Sequence, residues 1–462
     1  MLEPSSNEDD DLGRLFNPAR VALVGATADT RKIGHSLFVN LLSSNVDVYP
    51  VTSNGEPILG VDSFKSLSEL PKDVDVVIVA VPAAMCPALM PEVRSAGAKY
   101  AVVISGGFSE TGKRGRELEA QLVQRAHEAG VRILGPNCVG IASSGVFNGT
   151  FTMTPPPGNI AVVSQSGALG GILIYTAKKK NIGLSRFVSI GNACDIGFEE
   201  VFLYLANDPI TRVIVTYVES FKNGRASLRS LQEASSRKPV VVLKGGRTDV
   251  GQAAASSHTG SLSGSASLFD AMMTRVGCVS APTLDSLLEI AKVFDYQPLP
   301  FGKRIGIISN TGGAGVLAAD ALVEHGLVVP VFCSDTQRDL SDLLPSIASV
   351  RNPVDLVATA TGSDYMRVVT RLLDDPTVDV LLVICAVPTF AGMSTTEHAV
   401  GVVEGLRASV NSKPVAAVWL AGDPAVPGRE ILESARIPCY DDPYMAALCI
   451  SKLVRYAELQ KS

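Results

Sequence analysis

His258 lies in a segment whose composition suits reversible chemistry better than packing. Residues 255–264 consist almost entirely of alanine, serine, threonine and glycine around this one imidazole. Such a segment gives a histidine room to move and supplies hydroxyl and N–H donors to an anion. The pattern predicts a loop, which carries either a nucleophilic histidine or no function. A metal site is disfavoured, because no second histidine, cysteine or aspartate stands at ligand spacing.

Glu219 is the carboxylate whose position best suits support of a histidine. A nucleophilic imidazole needs one nitrogen held by an acceptor, so that the other nitrogen carries the reactive lone pair. Glu219 ends an apolar run, residues 213–218, that is typical of a buried parallel strand. The carboxyl end of such a strand lies at the ligand-binding edge of an open α/β sheet. A charge that merely ends a strand is the alternative, and the sequence alone does not connect Glu219 with His258.

Two segments with the same pattern could each present a helix N-terminus to a phosphate. Residues 159–170 and 304–315 both consist of an apolar run, a turn of small residues and the start of a helical pattern. The first helical turn leaves N–H groups unsatisfied at the positive end of the helix dipole. We therefore predict that both turns face one phosphate, and two unrelated βα units are the alternative. The residues concerned are Ser166, Gly167, Ala168, Gly313, Ala314 and Gly315.

A glycine turn near the N-terminus could also approach a phosphate. Gly25 follows the first apolar run, and Lys32 stands in the next loop. The turn lacks the later glycines of a dinucleotide fingerprint, and the second strand ends at Ser53 without an acidic residue for an NAD ribose. NAD is therefore disfavoured, and an ordinary structural turn is the alternative.

Three blocks of alternating apolar runs and helical patterns position these residues. The first block has apolar runs at residues 20–24, 46–51, 74–81, 100–105 and 131–134. The second block opens after the turn at residues 155–158, and the third opens at residue 303 after a linker at residues 298–302. This alternation predicts parallel, doubly wound α/β sheets. A chain of 462 residues is long enough for three such domains.

Composition excludes several classes of protein. Hydrophobic residues make up 46% of the chain and charged residues 19%. The formal charge is −6 and the sequence has no long basic run, which argues against a nucleic-acid partner. The eight cysteines form no CxxC pair and indicate buried free thiols. The N-terminus is acidic, unlike a signal peptide, and no apolar run approaches the length of about 18 residues that a membrane span needs. We therefore expect a soluble cytoplasmic protein that binds no membrane.

Six motifs, taken in order, resemble the α subunit of ADP-forming (NDP-forming) acyl-CoA synthetases, which belong to the succinyl-CoA synthetase superfamily. The resemblance covers nearly the whole chain and is specific as an ordered set. The motifs are Gly-Ala-Thr at residues 25–27, Gly-Pro-Asn-Cys-Val-Gly at 135–140, Val-Ser-Gln-Ser-Gly-Ala-Leu at 163–169, Ser-Ile-Gly-Asn at 189–192, Val-Glu-Ser at 218–220 and Ser-His-Thr-Gly at 257–260.

The resemblance implies three doubly wound parallel-sheet domains. Residues 1–148 would form a Rossmann-like CoA-binding domain, and residues 149–298 a succinyl-CoA synthetase-like domain that carries a phosphohistidine loop. Residues 299–462 would form a second flavodoxin-like, CoA-ligase domain.

The resemblance also implies a reaction and roles for single residues. The family converts acyl-CoA, phosphate and ADP into a carboxylic acid, CoA and ATP, through an acyl phosphate and a phosphohistidine. By resemblance His258 is the phosphorylated nucleophile, Glu219 orients and stabilises it, and Thr259 and Gly260 join the two turns in holding phosphate. The residues implied to bind CoA are Gly25, Ala26, Thr27, Lys32, Ser53, Val81, Pro82, Ser105, Gly106, Phe108 and Asn137.

The nucleotide site is implied to lie on another chain. No ATP-grasp-like pattern follows the third block, so ADP or ATP with Mg²⁺ is assigned to an ATP-grasp β subunit, in an α2β2 heterotetramer. The alternatives are a CoA-binding regulatory module without catalysis and a succinyl-CoA synthetase-type subunit, which is shorter and lacks the third block. The motifs do not specify the small carboxylic acid, ADP against GDP, or the preferred direction.

Overall fold

The computed structural model describes residues 12–259, 265–389 and 394–461, with the backbone alone for residues 255–259. The chain divides into two compact units, Met1–Leu288 and Glu289–Ser462. The first unit contains two sheets and the second unit contains one.

The first sheet has five parallel strands in the order β2-β1-β3-β4-β5. Its central strands consist mainly of Val, Ile, Leu and Ala, which is expected where helices cover both faces of a parallel sheet. The strands are β1 (Arg20–Val24), β2 (Asp47–Val51), β3 (Val76–Val79), β4 (Tyr100–Val103) and β5 (Arg132–Leu134). The helices around it are α1 (Gly13–Phe16), α2 (Ile33–Leu42), α3 (Cys86–Ser95) and α4 (Lys113–Ala129).

The second sheet has seven strands in the order β12-β11-β10-β8-β9-β6-β7. Its strands are β6 (Gly140–Ser143), β7 (Phe147–Thr150), β8 (Pro157–Ser164), β9 (Leu184–Ser189), β10 (Val213–Val218), β11 (Val240–Lys244) and β12 (Val279–Ser280). The helices are α5 (Gly167–Lys179), α6 (Phe198–Asn207), α7 (Gly224–Arg237), α8 (Asp249–Thr259) and α9 (Ala266–Arg275). The next helix, α10 (Leu284–Tyr296), begins in the first unit and ends in the second. The hairpin of β6 and β7 pairs antiparallel with β9. This hairpin crosses residue 148, where the sequence places the end of the first domain, and the bounds of the three domains stay a prediction.

The third sheet, in the second unit, has five parallel strands in the order β14-β13-β15-β16-β17. The strands are β13 (Ile305–Ser309), β14 (Val354–Asp355), β15 (Val380–Ala386), β16 (Val415–Leu420) and β17 (Cys439–Tyr440). The helices are α11 (Gly312–Glu324), α12 (Ser334–Leu343), α13 (Gly362–Leu373), α14 (Glu397–Ala408), α15 (Val426–Ser434) and α16 (Pro443–Leu459).

The parallel strands of all three sheets share one order. Counted along each sheet's own parallel strands, the order is 2-1-3-4-5. The predicted α/β class with three doubly wound sheets is confirmed. In this order the connections reverse direction between the first and third strands, and ligands bind outside the carboxyl ends of the strands at that point. The reversal lies between β1 and β3, between β8 and β10, and between β13 and β15.

The segment around His258 differs from the predicted loop. The backbone of residues 249–259 forms α8, because the alanines at 253–255 have the highest helix propensity and Asp249 suits the first turn of a helix. Gly260 lies outside the described residues, as do the side chains of His258 and Thr259. In the described ranges we find no helix with the length and hydropathy to cross a membrane.

Candidate active site

A cavity of about 440 Å³ lies at the carboxyl ends of the strands in the first unit. Its walls are the loops that follow β4, β5, β8, β9 and β10, so both sheets of the unit contribute. Six of the residues predicted to act in catalysis, in phosphate binding or in CoA binding line it together: Gly106, Asn137, Ser166, Gly167, Ala168 and Glu219.

The strand order explains why Ser166 and Glu219 line the same cavity. Ser166 follows β8 and Glu219 follows β10, and these neighbouring parallel strands flank the reversal point of the second sheet. Chain connections leave this point in opposite directions, which opens a crevice between the two loops. The carboxylate and the turn before α5 therefore face the same space.

The turn before α5 has a fixed conformation that leaves donors available. The Ser164 hydroxyl donates to the carbonyl of Ser166 at 2.6 Å, and the Ser166 hydroxyl accepts from the N–H of Leu169 at 3.4 Å. The N–H groups of Gly167 and Ala168 precede the first intrahelical bond and can serve an anion. A Cβ atom at Gly167 would lie 3.0 Å from the Val139 side chain, so the turn favours glycine there.

Glu219 is held firmly at the wall of the cavity and is 9% exposed. Its N–H donates to Gln165 Oε1 at 2.7 Å, and its carbonyl accepts from Lys244 Nζ at 2.8 Å. The Tyr217 hydroxyl donates to Glu219 Oε1 at 3.2 Å. Burial, and then the charge of Glu219, raises the pKa of Tyr217, so this phenol stays a protonated donor.

Two lysines lie near Glu219 and differ in what they can do. Lys244 is buried, which lowers its pKa, and its Nζ donates to the carbonyls of Glu219 and Gly245. Lys222 is exposed and is the only lysine or arginine among the described residues that line the cavity. Sequence reasoning missed Lys222, although its place three residues after Glu219 on the same strand-end loop is a usable signal.

A polar cluster that the sequence did not reveal lies where the loops after β4, β5 and β9 form the cavity wall. Asn192 Nδ2 donates to Glu110 Oε2 at 2.7 Å and to Glu119 Oε2 at 2.8 Å. Asn192 Oδ1 accepts from Asn137 Nδ2 at 3.3 Å. Asn192 belongs to the motif at residues 189–192, but the two glutamates come from the loop and helix after β4 and carried no pattern of their own. The cluster fixes the side chain of Asn137, a predicted CoA contact.

Glu110 is ionised in this cluster. Burial would raise its pKa, but hydrogen bonds from Asn192 and from the N–H groups of Gly107 and Phe108 lower the pKa overall. The cavity therefore has carboxylates on two walls, at Glu110 and at Glu219.

Close contact between two glycine-containing loops joins the two sheets. Asn192 N–H donates to the carbonyl of Pro136 at 2.9 Å, and Cys194 N–H donates to the carbonyl of Gly135 at 3.0 Å. Gly191 has a φ of +52°, and a Cβ atom there would lie 2.2 Å from the Pro136 carbonyl oxygen. The motif at residues 189–192 therefore needs its glycine because its backbone touches that of residues 136–137.

The remaining residues predicted to bind CoA lie on the rim of the first sheet, outside the cavity lining. Gly25 has a φ of +95°, and a Cβ atom there would lie 2.5 Å from the carbonyl oxygen of Ala80, beside the reversal point of that sheet. Lys32 and Ser53 are exposed, and Ala26 is buried. The other members of this rim are Thr27, Val81, Pro82 and Ser105, whose hydroxyl donates to the carbonyl of Val81. Binding of CoA by this rim stays a prediction.

Phe108 differs from its predicted role as a ligand contact. Its side chain is 0% exposed and packs in the core of the first sheet. The N–H of Phe108 donates to Glu110 Oε1 at 3.1 Å. The aromatic ring is therefore a packing group, and only the backbone of this residue lies at the rim.

The second unit repeats the turn geometry at Gly313, Ala314 and Gly315. The Ser309 hydroxyl donates to the carbonyl of Thr311 at 2.8 Å, as Ser164 does to Ser166. Ala314 and Gly315 are buried, and Gly313 is exposed. The two turns belong to different units, so their action on one phosphate stays a prediction.

The position of α8 bears on His258. The backbone of α8 lies beside the short turn Ser109–Thr111, whose Ser109 and Glu110 line the cavity. The roles of His258, Thr259 and Gly260 rest on the sequence, because their side chains or whole residues lie outside the described part of the chain.

Three family models match successive parts of the sequence. A CoA binding domain matches residues 19–144, a succinyl-CoA ligase like flavodoxin domain matches residues 157–294, and a Ligase-CoA domain matches residues 305–454.

Curated relatives and solved structures agree with these matches. The chain is 41% identical to the α subunit of ADP-forming acetate–CoA ligase II of Pyrococcus furiosus, over 97% of this chain and 98% of that one. It is 35% identical to ADP-forming acetate–CoA ligase I of Archaeoglobus fulgidus, over 96% of this chain but 64% of the relative. Among solved structures, the chain is similar to a dinucleotide forming acetyl-coenzyme A synthetase of Candidatus Korarchaeum cryptofilum, which was solved in complex with phosphate and ADP. The TM-score is 0.91, the sequence identity is 34%, and the match covers 98% of each chain. The chain therefore belongs to the α subunits of the ADP-forming acyl-CoA synthetases, in the succinyl-CoA synthetase superfamily.

Proposed function

We propose that this chain, with a separate nucleotide-binding β subunit, converts acyl-CoA, phosphate and ADP reversibly into a carboxylic acid, CoA and ATP. The observation that carries the proposal is the 440 Å³ cavity. In one unit it brings together a turn with free N–H donors, a buried carboxylate and loops of the predicted CoA-binding domain.

The first step forms an acyl phosphate. An oxygen of inorganic phosphate attacks the thioester carbonyl carbon, the C–S bond breaks, and CoA leaves as the thiol after gaining a proton. The N–H groups of Gly167 and Ala168 suit the phosphate in this step. The rim of the first sheet suits CoA, because its loops end in glycines and small residues that let a ligand approach the backbone.

The second step moves the phosphoryl group to His258. An imidazole nitrogen attacks phosphorus, the P–O bond to the carboxylate breaks, and the free acid leaves. Glu219 accepts the N–H of the other ring nitrogen, which selects the reactive tautomer and stabilises the positive charge that develops on the ring. The place of α8 beside the cavity wall supports His258 in this role.

The final step requires a nucleotide site on a partner. The chain spans 64% of the length of the Archaeoglobus fulgidus relative, which carries more sequence on one polypeptide. The relatives from Pyrococcus furiosus bear the name subunit alpha. We therefore place ADP or ATP with Mg²⁺ on an ATP-grasp β subunit, in an α2β2 assembly, and the small acid in the cavity. Because CoA and ATP are its reactants, we place the enzyme in the cytoplasm.

Phosphorylation of the chain tests the proposal. Wild-type protein incubated with acyl-CoA and ³²P-phosphate should gain an acid-labile, base-stable label, and His258→Ala should gain none while keeping its circular dichroism spectrum. His127→Ala is the matched control, because His127 is exposed on α4. Label on a serine, or full turnover of His258→Ala, would refute the assignment. CoA binding without any label would indicate a regulatory module.

A further inference from the structure

We infer that the side-chain amide of Gln165 donates a hydrogen bond to the phosphoryl group in the active-site cavity. The inference rests on the proposed function and adds a residue to it. Gln165 stands between β8 and α5 and lines the cavity together with Glu219.

Backbone contacts determine which end of the Gln165 amide faces the cavity. Gln165 Oε1 accepts the N–H of Glu219 at 2.7 Å and the N–H of Ser220 at 3.1 Å. Only the oxygen of a carboxamide can accept two N–H groups, because the amide nitrogen is a donor. The orientation of the side chain is therefore fixed, and Nε2 points away from the end of β10.

The Nε2 group of Gln165 is available to a ligand. Among the atoms that the structure describes it has no hydrogen-bond acceptor, whereas the oxygen has two donors. Gln165 lines the cavity together with the turn before α5, so its Nε2 group can donate to a ligand in that space. The carboxylate of Glu219 lines the same cavity and repels an anion, and a neutral donor there offsets part of that repulsion.

The nature of the reaction identifies the acceptor. The phosphoryl group must approach Glu219 closely, since Glu219 holds the histidine that receives it. The same glutamine fixes the N–H of Glu219 and offers a donor, so it sets the distance between the carboxylate and the phosphoryl oxygens. A neutral amide also holds a phosphoryl group less tightly than a lysine does, which suits a group that must leave again.

The equivalent residue in the second unit is closed to ligands. Asn310 occupies the place of Gln165 in the repeated turn, but its Nδ2 donates to the carbonyl of Ala386 at 2.9 Å and its Oδ1 accepts the N–H of Ala386 at 2.8 Å. The shorter side chain uses both ends of the amide to bridge β13 and β15. Only the turn in the first unit therefore adds a side-chain donor.

Substitution of Gln165 by glutamate separates the two functions of the amide. Gln165→Glu keeps an oxygen for the N–H groups of Glu219 and Ser220 but replaces the donor with a second oxygen. We expect the KM for phosphate to rise about 10- to 100-fold, the effect of losing a hydrogen bond to a charged group. The KM for ADP should change less than twofold, because ADP binds the partner. Gln124→Glu is the control, since it makes the same charge change on the exposed face of α4.

A purely structural role predicts a different pattern. In that case Gln165→Met, which removes the donor without adding a charge, would lower kcat without changing the KM for phosphate, and this result overturns the inference. A Gln165→Glu enzyme that behaves as wild type also overturns it. If Gln165→Glu does not fold, a selective rise in the phosphate KM of Gln165→Met supports it. A wild-type enzyme that forms no phosphoenzyme would instead overturn the proposed function, so the two failures are distinguishable.

Discussion

Replacing Glu219 with glutamine removes one charge from the cavity and changes little else. Glutamine keeps an oxygen that accepts from the Tyr217 hydroxyl, and the backbone bonds of residue 219 with Gln165 and Lys244 do not involve its side chain. We therefore expect an unchanged fold and unchanged CoA binding. The phosphorylation of His258 should become slower.

The burial of Glu219 sets the size of this effect. At 9% exposure an effective dielectric constant of about 20 is appropriate, and two unit charges about 4 Å apart then interact by about 4 kcal/mol. Each 1.36 kcal/mol changes a rate about tenfold, so a full charge on the ring would correspond to about 10³-fold. The transition state develops part of this charge, and we expect a fall of about 10²-fold.

Quenched-flow measurement of ³²P transfer from phosphate and acyl-CoA to the chain gives this rate directly. Tyr217→Phe is the graded control, because it removes one hydrogen bond worth about 1 kcal/mol and should slow transfer about fivefold. A Glu219→Gln rate within twofold of wild type would refute the reasoning. Glu219 would then be a charge that merely ends β10.

Three further predictions concern binding, stability and reactivity. Calorimetry should show binding of CoA and none of NAD at equal concentrations, and the reverse result would overturn the assignment of the first sheet. Asp208→Asn should destabilise the chain by about 3–5 kcal/mol at neutral pH, because it leaves the buried charge of Arg186 unpaired. Although burial opposes the shift, hydrogen bonds from Arg186 lower the pKa of Asp208. The ion pair therefore stabilises the folded chain fully above the unfolded-state pKa of about 4, and this stabilisation is lost as pH falls through the lower folded-state pKa. The urea midpoints of variant and wild type should converge in that pH range. Burial raises the pKa of the Cys138 thiol to about 12, so iodoacetamide at pH 8 should label Cys138 only in denaturant, and rapid labelling of the native chain would contradict this.

Much of the fold follows from the sequence because parallel strands buried on both faces are continuous apolar runs. The run at residues 20–24 matches β1 residue for residue. The run at residues 213–218 ends where β10 ends, which is why the position of Glu219 after its strand follows from the amino-acid pattern. The runs at residues 74–81 and 100–105 end two residues beyond β3 and β4. The helical backbone of residues 249–259 does not follow from it, since alanine, serine and glycine are compatible with both loop and helix.

Features built from distant residues could not be predicted. Asn192 meets Glu110 and Glu119 only because two loops from different sheets touch, and no spacing in the sequence encodes that contact. The same holds for Phe108, whose glycine-rich surroundings suggest an exposed turn but whose ring enters the core. Local patterns specify elements, whereas the partners of a polar side chain depend on tertiary packing.

The hairpin of β6 and β7 has a mechanical consequence. It continues directly from the loop that follows β5 of the first sheet, and its strand β6 is hydrogen-bonded to β9 of the second sheet. Opening a hinge between these two sheets would break the backbone hydrogen bonds that residues 192 and 194 donate to residues 136 and 135. The two sheets of the first unit therefore move as one rigid body. A catalytic step that requires movement must use other segments of the chain or the partner subunit.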